Sequence, residues 1–403
     1  MLYATGQRTT DVWLHIPRDF ETVGHPRSYR IVGKKMLYHI GQWLHSQSET
    51  LGFLRLLGYL SFRSIMSALT AVVIVFLLSP RFIRAMHRRN FLDRVRETGI
   101  RSAFDKAGTP TMGGVLMIVA MTVSILLWSN LTNTFLLLSL AALLWFGGIG
   151  FWDDWLKSSR GSGEEGLGEI TKLVLQGLFG VAFILVYLGP LSPVAPGVAS
   201  KLYVPFLKRP LLDLGLFYGL FIFLFLLLVA NAVNITDGLD GLAITPSIFV
   251  AGVLGVFAYV MGNTIYAGYL QYPYLRGAGE LAVFVSAFMG AGLGFLWYNA
   301  YPAQIFMGDT GSLAIGGTVA VLSVLLKQEL LFPLLGGLFL TEALTSQIQD
   351  KIGVRWLGRR IFYRAPLHHS LQHRGFAETK VVIRLWIVAG ILALLSLATL
   401  KIR

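Results

Sequence analysis

The stretch Asn231–Leu242, NAVNITDGLDGL, decides the fold. It follows an apolar run from Leu211 to Ala230 and precedes another from about Ala243 to Val260, so it is a polar corner between two hydrophobic helices. Two carboxylates, Asp237 and Asp240, and two amides, Asn231 and Asn234, therefore sit at a hydrophobic helix end. Acidic groups bordering lipid are costly and persist where they have a task. The corner reads as one wall of a polar site at a membrane face, with other polar turns supplying the rest.

Working outward, the 403 residues are 55% hydrophobic and 14% charged, with a mean hydropathy of +0.64. A soluble chain of this size needs far more charge to cover its surface. The expected class is an all-α polytopic membrane protein. With no cysteine, disulfides, thiolate metal ligands and a cysteine nucleophile are excluded. The net charge of +13 invites a nucleic-acid partner. In a membrane chain the plainer explanation is topology signals and contacts to the lipid bilayer, and no nucleic acid is expected.

Ten apolar segments follow one another at about 59–80, 111–129, 135–152, 171–190, 211–231, 242–261, 280–298, 312–326, 329–348 and 381–400. The 312–326 segment is short for a span, which suggests tilt or burial among its neighbours. The turns after the first segment and before the last are rich in arginine and lysine, from Arg81 to Lys106 and from Lys351 to Lys380. Short basic loops belong in the cytoplasm. Ten transmembrane helices put both basic turns on that side, with both termini outside. Parity then gathers every chemically loaded turn on the cytoplasmic face, where the active site is expected. The outer turns are poorer, although Lys201–Arg209 could form a short hairpin.

Three regions are expected. Residues 1–35 read as an upstream extension without a signal-peptide apolar core, with Met36 as the functional start. Their basic residues are too many for a short translocated tail, which favours that start. Residues 36–58 read as an amphipathic interfacial segment, and residues 59–403 as the ten-helix transmembrane domain.

The loaded turns hold five carboxylates, Asp153, Asp154, Asp237, Asp240 and Asp309. Oxygen ligands of this kind suit Mg²⁺, which prefers one or two carboxylates plus substrate phosphates. Helix capping explains any one of them, Asp240 first, but five on one face exceed what capping requires. The turn GTPTMGG at 108–114 offers N–H groups and threonine hydroxyls at a helix start, a natural anion seat, with Lys106 beside it. A Pro/Gly turn with threonine caps explains the same residues. Lys157 and Lys172 flank the Asp153-Asp154 pair and could neutralise a diphosphate or serve as headgroup anchors. His368 and His369, being adjacent, point in different directions, and at least one of them could donate hydrogen bonds to phosphate; Phe306 could stack on a base or pack against a helix end. Together these residues suit Mg²⁺-assisted transfer between a soluble phosphorylated compound and a lipid phosphate.

KAGTPTMGG, GFWDDWLK, NAVNITDGLDGLA, GAGELAVF, FLWYNAYPAQIFMGDTGSLA and APLHH occur here in an order that resembles the phospho-N-acetylmuramoyl-pentapeptide transferases, from about Met36 to the C-terminus. That resemblance implies ten transmembrane helices in a bacterial inner (plasma) membrane. The implied reaction joins UDP-N-acetylmuramoyl-pentapeptide to undecaprenyl phosphate, giving lipid I and UMP with Mg²⁺ as cofactor. It also suggests a homodimer. Carried over by motif, Asp309 is the magnesium ligand, and Asp153, of the Asp153-Asp154 pair, is the base that deprotonates the lipid phosphate. A two-step alternative makes an aspartate such as Asp309 a covalent nucleophile. Lys106, Thr111, Asn234, Asp237, Asp240, Asn299, Phe306 and Gln349 fall in the nucleotide-sugar pocket, with Phe306 stacking uracil. Lys157 and Lys172 fall on the phosphate side, and His368 and His369 are two of a histidine triplet.

The pattern departs in two places. The third histidine is Ser370, leaving its role lost, dispensable or taken by His373, and a histidine before GTPTMGG is Ala103. The nearest rival is a UDP-N-acetylglucosamine:polyprenyl-phosphate N-acetylglucosamine-1-phosphate transferase. A secondary transporter would bind substrate at the bilayer midplane, whereas here the helix centres are nearly free of ionisable residues apart from Glu342.

Overall fold

The computed structural model describes residues 55–89, 91–92, 108–159 and 166–402. The Met36 start, the extension 1–35, most of the interfacial segment, Ala103 and Lys106 lie outside the described residues. What is described is a helical, multi-pass membrane protein. We label α1 Leu60–Arg88, α2 Gly114–Trp128, α3 Thr134–Ser159, α4 Glu169–Tyr187, α5 Phe217–Thr236 and α6 Ile244–Met261. Then come α7 Glu280–Asn299, α8 Gly308–Leu325, α9 Gly337–Gln347, α10 Leu367–His373 and α11 Glu378–Ala398.

Among the described residues, 8 helices are long and apolar enough to cross a membrane. Two of the expected ten segments fall short of that. α2 has 15 residues. The segment expected at 329–348 is interrupted: a turn at Phe332–Leu335 precedes α9, and the chain continues past Gln347 as a π-helix, Ile348–Trp356. Gly336 and Gly337, the weakest helix formers after proline, stand at the break.

The short segment near 312–326 is the centre of the bundle. α8 is 89% buried within the protein and packs on α3, α5 and α2. α4 is the opposite case, with Leu173, Val174, Leu178, Val181 and Leu185 exposed along one side, the apolar face a lipid-bathed helix presents.

The two ends of the bundle differ in chemistry. At one end Arg63 pairs with Glu280 through two contacts of 2.8 and 2.6 Å, while the Asn130 N–H donates to the same carboxylate at 3.1 Å. That clamp ties α1 and α7 to the α2–α3 turn. At the same end as the α8 C-terminus, the expected hairpin is present, with Lys201 paired to Asp213 and Leu202 to Leu212. The buried Lys327 ammonium donates to the Ala199 carbonyl at 3.0 Å and pairs with Glu329 at 3.1 Å. The other end carries the acidic corners.

Candidate active site

Small residues let three helix ends meet. A Cβ placed on Gly150 of α3 would lie 2.1 Å from the Asp309 carbonyl oxygen, and one on Gly114 of α2 would lie 2.1 Å from the Gly311 nitrogen. Only hydrogen fits at either position, so α3, α2 and α8 approach backbone to backbone. Asp153 and Asp154 lie one turn beyond Gly150 on α3, and Asp309 opens α8.

This approach brings Asp153, Asp154 and Asp309 together, with one oxygen from each lying within 4.8 Å of the others. The adjacent pair divides its work. Asp154 is buried and accepts the Asp309 N–H at 3.1 Å, the Thr310 N–H at 2.9 Å and the Thr310 hydroxyl at 2.6 Å. It caps the start of α8 from another helix, where a carboxylate also meets the positive dipole end. Asp153 turns the other way. Its Oδ1 accepts the Leu167 N–H at 2.7 Å, and its Oδ2 lies 2.6 Å from Lys157 and 2.9 Å from Lys172. Both lysines also reach Asp309 Oδ2, at 3.0 and 2.7 Å.

The polar corner between α5 and α6 closes the site. The Asn234 amide donates to Asp309 Oδ1 at 3.0 Å and to the Ser312 hydroxyl at 2.9 Å. Half-buried Asp237 follows α5, and no hydrogen-bond partner for its side chain is found among the described residues. Its carboxyl is pushed up to about 8 by burial, then by the neighbouring charges of Asp309, Asp154 and Asp240.

Other expected residues stand behind this surface. Asp240 is buried and accepts the Ala303 N–H at 3.1 Å. Asn299 accepts the Gly241 N–H at 3.0 Å and donates to the Ile305 carbonyl at 2.9 Å. These two brace the corner against the 300–306 loop. Gln349 accepts the Ile361 and Phe362 N–H groups at 3.1 and 2.9 Å. Thr111 stands beside Gly308, its hydroxyl 3.1 Å from where a Cβ would be.

The anion seat expected at GTPTMGG is not free as the sequence suggests. The Gly113 N–H donates to the Phe306 carbonyl at 2.8 Å and the Gly114 N–H to the Met307 carbonyl at 2.9 Å, while the Phe306 N–H donates to the Pro110 carbonyl at 2.8 Å. The turn is zipped to the loop leading into α8. This pairing holds half-buried Phe306 at the site's edge.

His368 is buried beside Gly238, and the rings of His368 and His369 lie 4.3 Å apart. Burial, followed by the charge of His368, pulls the His369 imidazole down to about 4. His373 sets its ring against Tyr363 instead, and Ser370 is buried. Glu342, whose only sequence signal is a carboxylate in an apolar segment, touches His368.

Residues 134–327 match the family described as Glycosyl transferase family 4, and residues 106–118 match Phospho-N-acetylmuramoyl-pentapeptide-transferase signature 1. The chain is 44% identical over 370 residues to the phospho-N-acetylmuramoyl-pentapeptide-transferase of Geobacter sp. (strain M21), covering 91% of this chain and 100% of the relative. Over the same coverage it is 45% identical to that of Desulfotalea psychrophila and 43% identical to that of Citrifermentans bemidjiense. The chain belongs to the phospho-N-acetylmuramoyl-pentapeptide-transferase family. In this transferase the signature takes in the whole GTPTMGG turn, and the longer match spans Asp153, Asp154, Asn234, Asp237 and Asp309.

The residues present fit a divalent ion. The three carboxylates are hard oxygen donors on two helices, with no thiolate or imidazole in the group. Counted fully ionised, the three carboxylates against two ammonium groups leave one net negative charge, which a divalent ion would convert to one positive, a balance suited to an anionic diphosphate.

Proposed function

We propose that this chain transfers phospho-N-acetylmuramoyl-pentapeptide from its UDP-linked form to undecaprenyl phosphate, giving lipid I and UMP in peptidoglycan synthesis. The observation that carries it is the convergence of Asp153, Asp154 and Asp309 with Lys157 and Lys172 at the helix ends. The relatives' names favour this over transfer of N-acetylglucosamine phosphate. We place residues 59–403 as a ten-helix domain in the bacterial inner membrane, α2 and the interrupted α9 region supplying the two shorter crossings. Both termini lie outside, the site faces the cytoplasm, and the chain pairs as a homodimer.

Mg²⁺ is the proposed ion, held by Asp309 with Asp153 beside it, and when bound it polarises the phosphoryl oxygens and offsets the charge of the leaving group. The lysines hold the two carboxylates in register until substrate arrives. Phosphates then compete for Lys157 and Lys172, and each lysine that moves frees a carboxylate oxygen. Asp153 takes the proton of the lipid phosphate, whose oxygen bonds to the sugar-linked phosphorus. The bond from that phosphorus to the bridging oxygen breaks, and UMP leaves with the oxygen. Asn234 orients Asp309, Asp237 meets the nucleotide sugar, Phe306 stacks on uracil, and Thr111 stands at the pocket's rim.

Purified protein given each UDP-sugar with undecaprenyl phosphate separates the two chemistries. UMP release from UDP-N-acetylmuramoyl-pentapeptide is expected to exceed that from UDP-N-acetylglucosamine by at least about a hundredfold in kcat/KM. A preference for the second sugar would move the chain to the rival transferase class.

A further inference from the structure

Glu342 lies in α9 and is fully buried, a costly place for a carboxylate. Its Oε2 accepts the backbone N–H of His368 at 3.3 Å and lies 3.1 Å from His368 Nδ1. One oxygen therefore fixes both the backbone and the ring of His368, at the first turn of α10. With Glu342 ionised its carboxylate only accepts, and the hydrogen of this pair then belongs to Nδ1.

The other ring nitrogen is set apart. His368 Nε2 is buried and has no hydrogen-bond partner among the described residues. It points at Gly238, where a Cβ would lie 2.3 Å from Nε2. Gly238 follows Asp237 in the corner whose Asn234 holds Asp309. His369 does not compete for the carboxylate, because its Nδ1 faces Gln372 at 3.2 Å.

We propose that Glu342 is a positioning residue for His368: it holds the imidazole with Nδ1–H toward itself and aims Nε2 at the Asp237–Gly238 corner, where the nucleotide-sugar diphosphate binds. A proton added to such a ring goes to Nε2, making it a donor to a phosphate oxygen, and Glu342 balances the resulting cation. This assignment rests on the transferase function above. A plain strut between α9 and α10 would show the same two contacts, so the test must read the ring itself.

Full-length protein labelled with ¹⁵N-histidine in lipid nanodiscs supplies that reading, with His368→Asn identifying the signal. A protonated Nδ1 on His368 is expected, and an unprotonated Nδ1 overturns the proposal. Glu342→Gln, whose amide can present either its oxygen or its nitrogen, is expected to lose the lock. It should lower kcat about thirtyfold while leaving KM for the UDP substrate within about twofold, as the loss of a ligand-orienting partner does. The double variant with His368→Asn should match His368→Asn alone within about twofold. Unchanged kcat in Glu342→Gln, or losses that multiply in the double variant, would also overturn it. If Glu342→Gln is not recovered folded, the wild-type ring signal still decides. Wild-type protein that releases no UMP would sink the transferase assignment instead, and the Nδ1 signal reads independently of that.

Discussion

Asp309→Asn is expected to lower UMP release by about a thousandfold while the protein still folds. The carboxylate is the best exposed of the three, at 20% for its side chain, and both lysines converge on its Oδ2. Asparagine keeps an oxygen for the Asn234 amide, so the contact to the polar corner survives. What it loses is the charge that binds a divalent ion and registers Lys157 and Lys172. Loss of one preorganised group facing developing charge costs about a hundred- to a thousandfold, and loss of the ion lies at the severe end. UMP release measures the first half, and thermal unfolding in detergent the second. A variant turning over near the wild-type rate would remove Asp309 from the ion site.

Gly150→Ala is expected to be nearly as damaging without touching any reacting group. Its new methyl would meet the Asp309 carbonyl at 2.1 Å, a backbone atom with no rotamer to adopt. α3 and α8 must separate, and Asp153 moves away from Asp309 with them. A shift of about 1 Å at a reacting centre costs on the order of a hundredfold, and forced overpacking destabilises by about 1–3 kcal/mol. Gly148→Ala is the control, because nothing lies within 4 Å of a Cβ there. It should keep full activity, and alanine in place of glycine should add up to about 1 kcal/mol of helix stability. UMP release from the two variants side by side checks the claim; equal rates would mean the close approach of α3 and α8 is not needed.

The contrast between these glycines shows what a sequence carries. Apolar runs mark helices, and acidic corners at their ends mark a site, because lipid penalises both exposed backbone and idle charge. Asp153, Asp154 and Asp309 were therefore legible as one group. The use of each oxygen was not. Asp154 caps a helix 155 positions away, and Asp240 and Asn299 brace a loop, through backbone groups that have no sequence signature. The GTPTMGG turn reads as an anion seat only until Phe306 and Met307 take its N–H groups. Ten spans, one of them short, are expected because hydropathy counts apolar residues, a count that registers neither the break at Gly336 nor the shortness of α2. Glu342 stood out only as a charge in an apolar stretch, and its partner lies 26 residues on.

The proposed chemistry requires carboxylates from α3 and α8 to form one divalent-ion site. Crystals soaked in Mn²⁺ test it most directly through anomalous scattering. One peak per chain is expected, in contact with Asp309 and adjacent to Asp153, and it should vanish in Asp309→Asn. A peak elsewhere, or none while UMP release still requires a divalent ion, would show that these carboxylates do not hold it.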